Sequence, residues 1–84
     1  MKIYTYINRE YEDIFGIHTS KNLEDVAKIC YENEIEISNG YIRRGYFKTN
    51  TWLERYPTLE TFVDYLNKNL SEKNSINDIY ITTI

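Results

Sequence analysis

Few side chains in this sequence could perform covalent chemistry. His18 is the only histidine and Cys30 is the only cysteine, so a nucleophile and its base would have to be this pair. Cys30 falls on the apolar stripe of a predicted helix, where an unpaired cysteine behaves as a small hydrophobic side chain. We therefore expect Cys30 to pack in the core, and we expect a protein with no enzymatic activity and no cofactor.

The sequence also lacks the ligand pattern of a metal site. One histidine and one cysteine cannot complete the four ligands of structural zinc. Glu10, Glu12 and Asp13 form an acidic run, but it lacks the glycine and the ligand spacing of a calcium loop. No metal is expected, and these carboxylates are instead predicted to contact a cationic surface of a partner.

The segment 34–47 combines aromatic and cationic side chains. Asn39-Gly40 lies between two β-prone runs, and this dipeptide is typical of a two-residue type I′ hairpin turn. The hairpin register would pair Ile37 with Ile42 across the two strands. Gly45 then predicts a bulge that turns Arg44 towards solvent.

Exposed tyrosine and arginine are the residue types that contribute most to protein interfaces. The second strand of the predicted hairpin carries both types on a surface that must meet solvent. The residues predicted to bind a partner there are Tyr41, Arg43, Arg44 and Tyr46.

Charge is distributed unevenly along the chain. The net charge is −3, which argues against nonspecific coating of nucleic acid. Between residues 10 and 36 there are eight acidic residues against two lysines, whereas the basic residues exceed the acidic ones between 41 and 56. This pattern predicts a dipolar molecule whose acidic region could occupy a basic channel of a partner.

Hydrophobic patterning predicts one α+β domain over residues 1–84, with the element order ββαββαβ. Lys2 to Asn8 alternates with apolar bulk on both faces, which predicts a central strand, and the next strand, Ile14 to Thr19, should be antiparallel to it. Asn22 should cap a first helix that ends near Asn33.

The second half of the chain is predicted with less detail. Thr58 should cap a second amphipathic helix, and residues 76–84 should form the last strand. Residues 48–57 have no clean period. Two helices on one face of a mainly antiparallel sheet would bury both apolar stripes.

The expected location is the cytoplasm. No apolar run approaches the roughly 20 residues needed to cross a bilayer, so no membrane contact is expected. A single cysteine is typical of proteins in a reducing compartment.

The opening of the chain resembles a ββα layout found among short bacteriophage accessory proteins. The resemblance covers about the first 30 residues, and it departs from the usual pattern at His18, where an apolar or aromatic residue is commoner. The segments that carry it are Met1–Ile7, Phe15–Ser20 and Asn22–Ala27. The resemblance implies a protein that binds and inhibits a host protein or protein complex in the host cytoplasm, in the manner of anti-CRISPR or anti-restriction proteins.

Three functions from different classes follow from these patterns. The first is a non-enzymatic inhibitor that binds another protein. The second is a module for single-stranded nucleic acid, in which aromatic rings on the hairpin stack with bases and arginines contact phosphates. The third is a homodimer that forms through an edge strand, either the hairpin or residues 79–84.

Overall fold

A computed structural model describes the backbone of residues 1–10 and 13–84, and the side chains of residues 1–9 and 16–84. Three strands and three helices follow one another in the order ββαααβ. These elements are β1 (Lys2–Glu10), β2 (Asp13–Ser20), α1 (Leu23–Arg43), α2 (Thr51–Arg55), α3 (Leu59–Asn69) and β3 (Ile79–Thr83).

The three strands form one antiparallel sheet in the order β2-β1-β3. β1 is therefore the central strand, as its two apolar faces predict. Tyr6 lies opposite His18 on β2 and opposite Ile79 on β3. Tyr6 and its cross-strand partners point towards the helices. Because side chains alternate along a strand, Ile3, Thr5 and Ile7 point to the other side.

The helices pack on one face of this sheet, so the predicted α+β class is confirmed. The core between the two layers is apolar and strongly aromatic, and Tyr31, Trp52, Tyr56 and Phe62 pack with ring centroids 4.8–6.1 Å apart. Cys30 is completely buried among them. The prediction that Cys30 packs in the core is confirmed.

The predicted hairpin over residues 34–47 is wrong, because α1 continues through it to Arg43. The predicted end of the first helix near Asn33 is also wrong. Tyr31 and Ser38 are buried on the same side of α1 as Cys30, so the helical stripe persists beyond residue 33. The polar Ser38 interrupts the apolar pattern that would have revealed it.

Asn39 is held in the helix by a contact that sequence patterns do not show. The Asn50 amide donates to the Asn39 side chain at 2.9 Å and to the Ile35 carbonyl at 3.4 Å. The side-chain oxygen of Asn50 accepts the Leu53 N–H at 3.0 Å and so caps α2. These tertiary bonds outweigh the local turn preference of Asn39-Gly40, since such preferences are weak against packing.

A tight turn with positive φ does occur in the protein, but it precedes β3. Asn77 and Asp78 have φ of 50° and 62°, and Ile76 and Ile79 exchange backbone hydrogen bonds of 3.1 and 2.8 Å around them. This is the pattern of a type I′ turn. Asn and Asp tolerate the left-handed region better than other residues that carry a side chain.

One of the two predicted helix caps forms a side-chain hydrogen bond and the other does not. Thr58 and Thr61 form a capping box at the start of α3, so the predicted cap is confirmed. Asn22 precedes α1, but its side chain makes no capping bond. The Ser20 hydroxyl accepts the Asn22 N–H at 3.0 Å and donates to the Asp25 carboxylate at 2.6 Å, and these bonds join the end of β2 to the start of α1.

Candidate functional site: the aromatic and cationic end of α1

The C-terminal end of α1 is closed by a Schellman motif. Gly45 has φ of +82°, a conformation that glycine adopts without strain. Its N–H donates to the Ile42 carbonyl at 3.0 Å, and the Tyr46 N–H donates to the Tyr41 carbonyl at 2.9 Å. These two bonds satisfy the last carbonyls of the helix, and they direct the chain so that residues 46–48 lie beside the final turn.

Aromatic rings cluster at this end. The Tyr41 ring lies 6.1 Å from the Tyr46 ring, in an edge-on arrangement, and 5.0 Å from the Phe47 ring. Tyr46 is 71% exposed, and Tyr41 and Phe47 are each 39% exposed. Ile37, one turn before Tyr41, is also exposed. The rings therefore pack on one another and still present a large apolar area to solvent.

Three exposed cations are close to these rings in the sequence. Arg43, Arg44 and Lys48 are all exposed. Among the described side chains, the salt bridge found within 4 Å joins Arg9, near the end of β1, to Asp78. Arg43, Arg44 and Lys48 therefore have no carboxylate partner among the described side chains. We call the six residues Tyr41, Arg43, Arg44, Tyr46, Phe47 and Lys48 the aromatic–cationic patch.

Part of the patch has a structural explanation. A hydrophobic contact between the positions of Tyr41 and Tyr46 commonly accompanies a Schellman motif, and cations are favourable at a helix C-terminus. Neither effect requires Phe47 to join the ring cluster or Lys48 to add a third cation. The exposed ring area, and the charges that no described carboxylate pairs with, therefore exceed what the helix end needs.

Of the four residues that were predicted to bind a partner from this segment, the structure brings the Tyr41 and Tyr46 rings together, and Arg43 and Arg44 are exposed at the same helix end. It does so through a helix end and the turn after it, whereas the sequence predicted a strand and a bulge. Arg44 is exposed, as expected, but it is the C-cap of α1 and the predicted bulge is wrong. Lys48 was not among the predicted site residues. The glycine just after two arginines is a recognisable signal for a helix end, and the hairpin prediction did not use it.

The acidic residues that were predicted to contact a partner cannot be placed. Glu12 lies outside the described residues, as do the side chains of Glu10 and Asp13. Other carboxylates of the acidic region lie on α1, where Glu24, Asp25, Glu32 and Glu36 are exposed. The exposed negative charge of α1 thus precedes the patch along the helix.

A second cluster of polar groups lies where α1 meets β1 and the turn at residues 77–78. The Asn33 amide donates to the Tyr6 hydroxyl at 2.9 Å and to the Asn8 side chain at 3.1 Å, and His18 stacks on Tyr6. Burial raises the pKa of Tyr6 to about 12. Burial also raises the pKa of Glu34, and the nearby Asp78 carboxylate adds to the effect.

Cys30 borders the same cluster. Its thiol donates to the Asn77 carbonyl at 3.6 Å. Burial is the main cause that raises its pKa, and the charges of Glu34 and Asp78 act in the same direction. A thiol with a raised pKa remains protonated at neutral pH and is a poor nucleophile.

The described residues contain neither a metal-binding cluster nor a membrane-spanning helix. No group of three or more His, Cys, Asp or Glu side chains there is arranged to hold a metal ion. Among the helices described, none is both long and apolar enough to cross a membrane.

Comparisons with known proteins give no relatives. No protein-family model matches the chain, and neither the curated proteins nor the solved structures contain a match to it. The candidate site therefore has to be judged on its own geometry.

Proposed function

We propose that this chain is a non-catalytic binding module that docks on another protein through the aromatic–cationic patch. The observation that carries the proposal is the exposure of three clustered rings on a segment that also carries three exposed cations, which have no carboxylate partner among the described side chains. Tyr, Phe and Arg are enriched in interfaces because they supply large contact areas and directional hydrogen bonds.

The chemistry of the patch defines its partner. Tyr46 is the most exposed of the three rings, so it is the natural anchor for an apolar pocket. Arg43 and Arg44 can each form bidentate bonds to a carboxylate. The fitting surface is an apolar pocket with acidic side chains around it.

The charge pattern of α1 supports an oriented encounter. The exposed carboxylates of α1 precede the patch along the helix, and the chain as a whole carries a net charge of −3. An acidic partner would therefore be attracted to the patch and repelled by the acidic part of α1. Such steering speeds association and weakens with salt.

We extend the proposal to the kind of protein that is bound. The resemblance of the opening residues to bacteriophage accessory proteins supports a host protein or protein complex as the target, with inhibition of a host defence complex as the outcome. In this role the acidic region would occupy a basic nucleic-acid channel while the patch contacts an acidic surface beside it.

Affinity capture with matched variants tests the proposal. We expect the wild-type chain, immobilised through a C-terminal tag, to retain a stoichiometric partner from a bacterial host lysate, and the Arg44→Ala/Tyr46→Ala variant to lose it. Lys68→Ala, which removes an exposed cation on α3, is the control and should retain it. Equal capture by the double variant, or capture of no stoichiometric partner, would contradict the proposal.

Single-stranded nucleic acid is the second candidate ligand. Exposed rings beside cations also suit base stacking and phosphate contact, and each stacked base contributes about 1–3 kcal/mol. The rings here meet at 49° and 67°, so they do not form parallel platforms, and this favours a protein partner. Fluorescence anisotropy with labelled oligonucleotides at low salt separates the two: binding that Arg44→Ala/Tyr46→Ala abolishes would support this alternative.

A further inference from the structure

Asn39 and Gly40 form a chemically reactive dipeptide inside α1. An asparagine amide followed by glycine is prone to deamidation, because glycine has no side chain to keep its backbone nitrogen away from the amide carbon. A Cβ atom at Gly40 would have the Arg43 guanidinium as its nearest side-chain neighbour among the described residues, at 3.9 Å. Packing therefore does not require glycine here, and both residues lower the helix propensity of the segment.

The folded helix holds the two reacting groups apart. In a helix each N–H donates to a carbonyl one turn earlier, so the Gly40 nitrogen is bonded and turned away from the Asn39 side chain. The Asn50 amide, 2.9 Å from the Asn39 side-chain oxygen, fixes that side chain beside the start of α2. Attack on the amide therefore requires the end of α1 to open.

Opening that end exposes little apolar area. Ser38 is the last buried residue of α1, which the structure describes along its whole length. The side chains of residues 39–43 are half-buried or exposed. Segments with few buried contacts open locally at a lower free energy than the whole fold. The end of α1 should therefore open, with loss of the bond from Asn50, while the rest of the protein stays folded.

We propose that Asn39 is a deamidation site whose reaction is gated by local opening of the end of α1. In the opened form the Gly40 nitrogen attacks the carbon of the Asn39 side-chain amide. A new C–N bond forms, the bond to the amide nitrogen breaks, and that nitrogen leaves as ammonia with the proton from Gly40. Water then opens the cyclic imide to aspartate or isoaspartate. The reaction consumes water and releases ammonia, and it needs no oxidant or reductant.

The isoaspartate product changes the helix permanently. It carries the main chain through its side-chain carboxyl, and the additional backbone atom interrupts the regular hydrogen bonds of a helix. α1 then ends near Ser38. The aromatic–cationic patch begins at Tyr41, so modified molecules should lose the geometry that presents it. This consequence for binding rests on the proposed function, whereas the modification itself does not.

Peptide mapping by mass spectrometry tests the proposal on the full chain, incubated in mildly alkaline buffer. Trypsin releases residues 29–43 as one peptide. Asn33-Glu34 in the same peptide is an internal control, because a glutamate side chain obstructs the attack. We expect Asn39 to be modified and Asn33 to remain intact. The folded chain should react at least about tenfold more slowly than the chain in guanidinium chloride, because opening of the bonded helix end is unfavourable.

Three variants locate the opening that permits the reaction. Asn50→Ala removes the bond to Asn39 and should speed modification of the folded chain by roughly fivefold to thirtyfold. Gly40→Ala should slow it, because a methyl group obstructs the attack and alanine strengthens the helix. Thr58→Ala removes the cap of α3 and lowers global stability, and it should leave Asn39 reacting at the wild-type rate.

Four results would overturn the proposal. They are an unmodified Asn39 in the folded chain, equal rates in the folded and denatured chains, equal rates in Asn50→Ala and the wild type, or equal acceleration by Thr58→Ala and Asn50→Ala. The last result would place the reaction in the globally unfolded chain. Gly45→Ala, which strains the turn after the same helix, replaces Asn50→Ala if a thermal melt shows that variant to be unfolded. The measurement involves no partner, so its outcome is independent of the capture experiment.

Discussion

Gly40 lies inside α1, five residues before the Schellman glycine, and the two positions demand different backbone conformations. A Cβ atom at Gly40 would have the Arg43 guanidinium as its nearest neighbour, at 3.9 Å, and a Cβ atom at Gly45 would meet nothing within 4 Å. Space is therefore available at both positions. The backbone decides the outcome, because Gly45 has φ of +82° and Gly40 is helical.

Gly40→Ala is expected to stabilise the protein by about 0.5–1 kcal/mol, since glycine in a helix costs that much relative to alanine. Gly45→Ala is the control and should destabilise it by about 1 kcal/mol, because alanine is strained at positive φ. Urea unfolding measures both changes. Destabilisation by Gly40→Ala would indicate a type I′ turn at that position and contradict the helix.

Glu34 predicts a dependence of stability on pH. Its folded pKa is raised above the ordinary value by burial and by Asp78, so the folded state binds this proton more tightly than the unfolded state does. Stability should fall as the pH rises from the ordinary glutamate pKa, about 4.3, through the raised folded value. Glu34→Gln should flatten this fall and raise stability at neutral pH. Urea unfolding at pH 4 to 7 checks it, and an unchanged profile would contradict it.

At the scale of elements, the strands and the last helix could be predicted because their signals are local. β1 alternates cleanly, and Thr58 begins a regular apolar stripe that ends in Leu70. α1 could not be predicted past Asn33, because Ser38 is a polar residue at a buried position and Asn39-Gly40 favours a turn. The Asn50 hydrogen bonds that hold this part of α1 in the helix join residues that are 11 and 15 positions apart in the sequence.

Asn50→Ala tests whether these bonds hold α1 and α2 together. The change removes the cap of α2 and both hydrogen bonds to α1, and we expect a loss of about 1–2 kcal/mol in the free energy of unfolding. Asn67→Ala, at an exposed position on α3, should change it by no more than about 0.5 kcal/mol. Equal effects of the two changes in urea unfolding would show that Asn50 has no special role.

At the scale of the whole molecule, two exposed surfaces have opposite characters. The aromatic–cationic patch is charged and lies at the end of α1, whereas the sheet face away from the helices carries the exposed side chains of Ile17 and Tyr80. Residue types identified four members of the patch in the sequence, because arginine and tyrosine are informative wherever they are exposed. The exposed face of the sheet could not be defined in advance, because it depends on which strands pair and on which side the helices pack.

The central claim is that the patch binds a protein partner, and the affinity of the captured partner for Arg44→Ala tests it most directly. Arg44 is exposed at the C-cap, so this change should alter stability by no more than about 0.5 kcal/mol. It should nevertheless weaken binding by about 1 kcal/mol or more, with Lys68→Ala unchanged and wild-type binding weaker at high salt. Wild-type affinity in a stable Arg44→Ala variant would contradict the claim.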